Sequence, residues 1–335
     1  MHGIQVKDND VVIGTHGRSF YILDNVSVLR QVTATTVNEP LVLFDPADAV
    51  RSVSRGVFVD YYLKDAADKV TIEFLDAKGN VIRTFTGPGA PAQAPARPAE
   101  MEEGEEGPRR GGPPARVTGD KGMNRFTWDM RYPDAVSFPG MILWAAQTRG
   151  PQAPPGRYQV RVTAGGVTKT QDFTITRNTA AQGVTDADLQ AQFDLAMQIN
   201  QRVSDANRAV IRIRNLKEQI NERTAKASDQ SLVAAGKALA DQLTDVEGEI
   251  YQHRLRSGQD PLNFPIRLNN KLAALQGTVE SGDYRPTDQS YAVFKELSGR
   301  LDKQLARLET LVKNDLAAFN KALQAAGLAP VKDAN

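Results

Sequence analysis

The sequence predicts a multidomain α+β protein with a β-hairpin at its start, an antiparallel β-sandwich in its middle and an antiparallel helical bundle at its C-terminal end. Three observations predict this. Apolar and polar residues alternate with period two in several short runs before residue 178, the signature of half-buried strands. Beyond Arg177 apolar residues recur seven apart, as on the seam of packed helices. At 335 residues the chain exceeds one ordinary domain, so two or three are expected.

The first element is a hairpin. Val11-Val12-Ile13-Gly14 is a β-branched run, Thr15-His16-Gly17-Arg18 is turn-like, and Ser19-Phe20-Tyr21-Ile22-Leu23 is the returning strand. A lone two-stranded hairpin is marginal in water, so residues 1–32 are expected to be the remnant of a last propeller blade. Residues 33–55 are expected to be a linker.

Residues 56–178 carry the sandwich signal. Gly56 to Leu63, Lys69 to Leu75 and Val81 to Phe85 read as strands, with Asp76-Ala77-Lys78-Gly79-Asn80 as a turn. Asn124 to Trp128, Gly156 to Val162 and Thr168 to Ile175 continue the pattern. Between them, residues 87–119 are rich in Pro, Gly, Ala, Glu and Arg and nearly lack large apolar side chains. Such a stretch cannot bury enough surface to offset its ordering entropy, and a disordered insertion is expected there.

Residues 185–328 read as the bundle. Thr185 with Asp186 and Asp188 forms an N-cap signal. Leu189, Ala196, Val203 and Val210 fall seven apart, interleaved with Ile199, Ala206, Ile213 and Ile220. A second helix carries Leu232, Leu239, Leu243, Val246 and Ile250. Pro261 and Pro265 interrupt, and a shorter helix follows with Leu268, Leu272, Leu275 and Val279. The last helix starts at Thr287-Asp288, carries an apolar stripe from Leu297 to Leu323, and stops at Gly327. Helices with one apolar stripe each must bury it together.

Composition narrows the function classes. Forty-one basic against forty acidic residues leave a net charge of +1, so no overall field favours nucleic acid. The absence of cysteine removes disulfides, thiol nucleophiles and thiolate metal sites. No apolar run is long enough to span a bilayer, and the N-terminal residues lack a basic region followed by an apolar one. With no signal peptide in this chain, either a cytoplasmic setting or a start upstream of Met1 is expected.

Three segments carry a resemblance. Residues Asp10 to Asp24, with Gly14-Thr15-His16-Gly17-Arg18-Ser19 at their centre, resemble the closing strands of bacterial sortilin-like, BNR-repeat (WD40/YVTN-like) β-propeller proteins. Asp76 to Arg83, Asn124 to Asp129 and Pro155 to Tyr158 are similar to the immunoglobulin-like domain of flagellar hook-capping proteins. Leu268-Asn269-Asn270-Lys271-Leu272-Ala273-Ala274-Leu275 resembles the helical end of the same propeller proteins. The resemblance implies a C-terminal, non-catalytic structural or interaction region of an exported propeller protein, set in the periplasm or outside the cell. It implies an upstream propeller domain of the same protein as partner. Such proteins are often labelled glycosyl hydrolases, so the alternative is the C-terminal part of a glycoside hydrolase, or other hydrolase, whose active site lies on the propeller.

The residues themselves converge on no chemistry, and no catalytic, cofactor-binding or metal residue is assigned; no cofactor is expected. His16 and Ser19 lack an acid-oriented base and a Gly-x-Ser-x-Gly elbow; Gly14 and Gly17 read as turn residues. His2, His16 and His253 are too scattered for a metal site, and His253 falls at a bundle end. Trp128-Asp129-Met130-Arg131-Tyr132 places an acid, a guanidinium and a phenol together, with Trp128 expected in the core and Asp129 and Arg131 in a turn. The acidic run from Glu100 to Glu106, followed by Arg109-Arg110, reads as a solvated polyampholyte. A protein partner, or self-association through the heptad seam of the bundle, is the remaining expectation.

Overall fold

Alternating β-branched and aromatic residues build the first half of the chain, and long stripes of Leu, Ile and Val build the second. In this computed structural model residues 3–7, 9–23, 25–88 and 116–333 are described. The fold is mixed α+β, with helices gathered toward the C-terminal end. The chain divides into a sheet unit, residues 1–132 and 153–182, and a helical unit, residues 133–152 and 183–335.

The sheet unit begins with β1 (Gly3–Lys7), β2 (Asp10–Gly14) and β3 (Phe20–Leu23), an antiparallel sheet in that order. The expected two-stranded hairpin is therefore three-stranded. Ile4 and Val6 alternate with polar neighbours as a strand requires, and they pair with Ile13 and Val11. A short helix, α1 (Ser27–Gln31), follows and buries Val28. The expected linker 33–55 is structured: it holds a 3-10 turn at Thr36–Asn38, β4 (Leu41–Leu43) and β5 (Ala49–Val50). Leu41, Leu43 and Ala49 are buried, which gives these short strands a reason to join sheets.

The remaining strands are β6 (Val57–Leu63), β7 (Val70–Asp76), β8 (Val81–Gly87), β9 (Gly122–Trp128), β10 (Gly156–Ala164) and β11 (Val167–Thr176). They form a five-stranded sheet, β5-β11-β10-β7-β8, and a three-stranded sheet, β4-β6-β9. All their pairings are antiparallel except β5 with β11. Register follows burial: Ile72 faces Val162 and Phe74 faces Val160 across β7 and β10, while Val59 faces Phe126 across β6 and β9. Both sheets send these side chains into one core.

Aromatic rings fill that core. Trp128 stacks on Phe74 at 4.4 Å between centroids, and Phe85 lies 4.7 Å from Phe126. Tyr158 and Phe173 stack at 5.8 Å. Gly56 is required where β6 begins, because a Cβ there would sit 2.4 Å from the carbonyl oxygen of Trp128.

Of the insertion expected over 87–119, residues 89–115 lie outside the described residues, as does the Glu100–Arg110 run. Its two ends are packed. Val117 is buried, and Gly87 approaches it so closely that a Cβ would lie 2.3 Å from the Val117 oxygen. The Tyr61 hydroxyl donates to the Thr118 carbonyl, and Ala67 N–H donates to Gly119 at 2.8 Å. Residues 117–119, inside the expected insertion, are therefore packed, because Val117 has a core to enter.

The helical unit contains α2 (Asp186–Thr224), α3 (Gln230–Ile250), α4 (Leu268–Val279), α5 (Asp288–Thr310) and α6 (Ala317–Ala325). Thr185 caps α2 through a reciprocal capping box with Asp188, and Asp229 and Thr287 cap α3 and α5. A π-helical segment, Leu311–Leu316, separates α5 from α6, where the sequence predicts one continuous helix. Seven of the eight residues of the two interleaved sevens on α2 lie in the unit's own core, and the eighth, Leu189, is buried as well. Among the described residues no helix is long and apolar enough to cross a membrane.

Removing the Phe74 ring should cost about 3–5 kcal/mol, the range for deleting a buried aromatic side chain. Denaturant unfolding of Phe74→Ala, followed by strand circular dichroism, should show that loss and leave the helical signal at its wild-type midpoint.

Candidate functional site

The residues that invited a chemical reading do not converge. His16 lies in the exposed turn between β2 and β3, where Thr15 accepts from Arg18 N–H and donates to the Ser19 carbonyl. His2 lies outside the described residues. Trp128 is fully buried, and its Nε1 donates to the Arg131 carbonyl at 3.1 Å. Asp129 accepts from Arg131 N–H at 3.2 Å and lies 3.7 Å from Arg83. Burial, with the nearby charge of Asp76, pushes the Tyr132 phenol up to about 12, which opposes use of its phenolate. Among the described residues no group of three or more His, Cys, Asp or Glu residues is placed to hold a metal ion.

Polar groups do converge in the helical unit. Residues 133–152 leave the sheet unit's sequence range and group with the helices, although they were expected within the sandwich. Pro133, Pro139, Gly140 and Pro151 punctuate the segment, so it forms neither helix nor paired strand and its main chain needs other partners. Side chains from the helices supply them.

On α2, Ser204 Oγ accepts from Val136 N–H at 3.1 Å and donates to the Asn200 carbonyl at 3.0 Å. One turn on, Asn207 Nδ2 donates to the Val136 carbonyl at 2.6 Å. Asn207 Oδ1 in turn accepts from Asn269 Nδ2 at 3.0 Å. On α4, Asn270 brackets Trp144: its Oδ1 accepts from Trp144 N–H at 2.6 Å and its Nδ2 donates to the Trp144 carbonyl at 2.9 Å. Gln276 donates to the Arg149 carbonyl and to Glu280, which accepts from Gln152 N–H at 2.8 Å. Just beyond α3, the Tyr251 hydroxyl accepts from Ile142 N–H.

Apolar contacts set the segment's depth. Ala135 and Phe138 are buried in the helical core, with Met141, Leu143 and Ala146 packed against it. The Phe138 ring meets Tyr251 edge-to-face at 5.1 Å. Arg214 lies over both rings, at 4.7 Å and 5.3 Å. The guanidinium is held there by Glu247, which is buried and also accepts from Lys217 at 3.0 Å.

Sequence reasoning missed this cradle. Asn269 and Asn270 were noticed only as part of a resemblance, and Asn207 and Gln276 not at all. The available signal was polar residues in register with apolar stripes: Asn200 and Asn207 on α2 are seven apart, and polar side chains at a seam need a buried partner.

No protein-family model matches the chain, and no curated protein matches it. Among solved structures, it is similar to CopC from Methylosinus trichosporium OB3b, at 14% identity and a TM-score of 0.21, over 41% of this chain and 95% of that one. It is also similar to pT26-6p, at 12% identity and a TM-score of 0.17, over 86% of this chain and 49% of that one. The chain thus spans about half the length of pT26-6p.

Two outcomes follow from the charges around the cradle. Glu247→Ala should cost about 1.5–3 kcal/mol, the range for hydrogen bonds to a charged group, read as a lower denaturation midpoint of the helical signal. His253, beyond α3, is held below its ordinary pKa of 6.5 by burial first, and then by Lys217, Arg254 and Arg214 against the opposing Glu247. Its neutral form is the one that fits, so the stability it contributes is present above pH 6.5 and lost as pH falls below that value. The wild-type Tm should therefore drop more than that of His253→Gln between pH 7.5 and pH 5.

Proposed function

We propose that the chain is a non-catalytic structural and interaction region of an exported β-propeller protein, working in the periplasm or outside the cell. The observation that carries this reading is the N-terminal sheet. Its strands β1 and β3 are exposed along their whole length, and they present Ile4, Val6, Phe20, Tyr21, Ile22 and Leu23 to solvent, Phe20 at 75% exposure and Ile22 at 60%. Apolar residues on both strands, with both outer edges open, suit a sheet built into a larger β-assembly. A propeller blade is such a setting, since neighbouring blades cover both faces.

The sheet is tied to the rest of its unit by polar contacts. Asn25 N–H donates to Asp10, Val26 N–H donates to the Asn9 carbonyl, and Arg125 donates to the Asn25 carbonyl. Arg125 is itself fixed by two hydrogen bonds to the buried Asp60. An attached blade would thus be anchored at Asn25. The two sheets that share the aromatic core fit the immunoglobulin-like sandwich of this reading, and the helical unit supplies its bundle.

The reading is tested by limited chymotrypsin digestion of the full chain with sedimentation. Cuts at Phe20, Tyr21 and Leu23, ahead of any within 41–88 or 186–325, are expected, together with concentration-dependent association. A monomer whose residues 3–23 resist as long as the helices would remove the propeller reading.

A further inference from the structure

The hydrogen bonds that hold residues 133–152 have a common property: each runs from a helical-unit side chain to main chain of the segment. Main-chain capture does not depend on the identity of the captured residue, so it gives affinity and leaves specificity to side-chain pockets. Selectivity falls to the apolar side chains, with Phe138 as the buried aromatic anchor and Met141, Leu143 and Ala146 following it. The same device recurs independently at the C-terminal tail. There Asn320 brackets Val331 and Gln219 brackets Lys332, each carboxamide taking both the N–H and the carbonyl of one residue. Val331 is buried in the same core. One helical unit therefore holds two irregular segments by one chemistry.

The segment also has a separate route to opening. Its main-chain groups are bonded to side chains on α2, on α4 and at Tyr251, and to itself through Ala135 with Thr148 and Gly150 with Asp134. Breaking those bonds leaves the i to i−4 ladder of every helix intact. Elements held in this way open below the cost of global unfolding.

We propose that the groove lined by Ser204, Asn207, Tyr251, Asn270, Gln276 and Glu280 is a receptor for a looped peptide with an aromatic anchor, and that residues 133–152 are a strap occupying it in cis. A competing peptide gains access only through the fraction of molecules with the strap open, so its apparent Kd rises by the inverse of that fraction. This inference stands apart from the propeller reading, since it uses helical-unit residues alone.

The test uses the full chain and a fluorescein-labelled peptide of residues 133–152. Phe138→Ala weakens the strap and leaves the groove unaltered; it should bind the peptide saturably and at least tenfold more tightly than wild type. Adding Asn270→Ala should abolish that gain. In parallel, hydrogen exchange on the wild-type chain should show the amides of Ile142, Trp144 and Gln152 at least tenfold less protected than those of α2 between Val203 and Ile213. Equal protection of strap and α2 would overturn the proposal, and so would a Phe138→Ala chain with wild-type helical circular dichroism that binds no peptide. If Phe138→Ala does not fold, the exchange comparison on the wild-type chain decides.

Discussion

A buried peptide group must find a hydrogen-bond partner, and leaving one unpaired costs on the order of 1–3 kcal/mol. In the sheet unit the ladders of β6 with β9 and of β7 with β10 meet this demand. In the helical unit residues 133–152 belong to no sheet, and helix side chains meet much of the demand beside a few main-chain bonds within the segment. That is why Asn207, Asn269, Asn270 and Gln276 are buried where a purely apolar bundle would carry Leu or Ala. Each is held by a named partner, so the polar interior is satisfied along the strap.

The same constraint bears on the two ends of the sheet unit. At the N-terminal sheet β1 and β3 each present an open edge, and the apolar side chains beside those edges face solvent. At the insertion the demand is met locally: Thr118 and Gly119 give their carbonyls to Tyr61 and Ala67, so the chain is fixed at the point where it re-enters the sheet. Burial holds the Tyr61 phenol above its ordinary pKa.

Helices were legible because their stripes are long and their caps chemically plain. Thr185 and Thr287 stand where a side-chain oxygen must meet the first free N–H groups. The π-helical segment at Leu311–Leu316 was not legible, since no Pro or Gly marks it. Among the strands, β6 to β11 announce themselves by alternation. β4 and β5 do not, because two or three residues are too few to show a period. The cradle was illegible for a different reason. A hydrophobic period does not report what Asn and Gln bond to, and their partners on the strap lie from 71 to 127 residues away in sequence.

Hydrophobic period and capping chemistry are local properties, so the sequence by itself determined that this chain is strands followed by helices, and which face of each element is buried. The pairing of main chain with distant side chains depends on which surfaces meet once those faces are buried. Only the tertiary structure could decide that residues 133–152 join the helices rather than the sheets, that Leu41–Leu43 is a strand rather than a tether, and that asparagines on two helices close on one irregular segment.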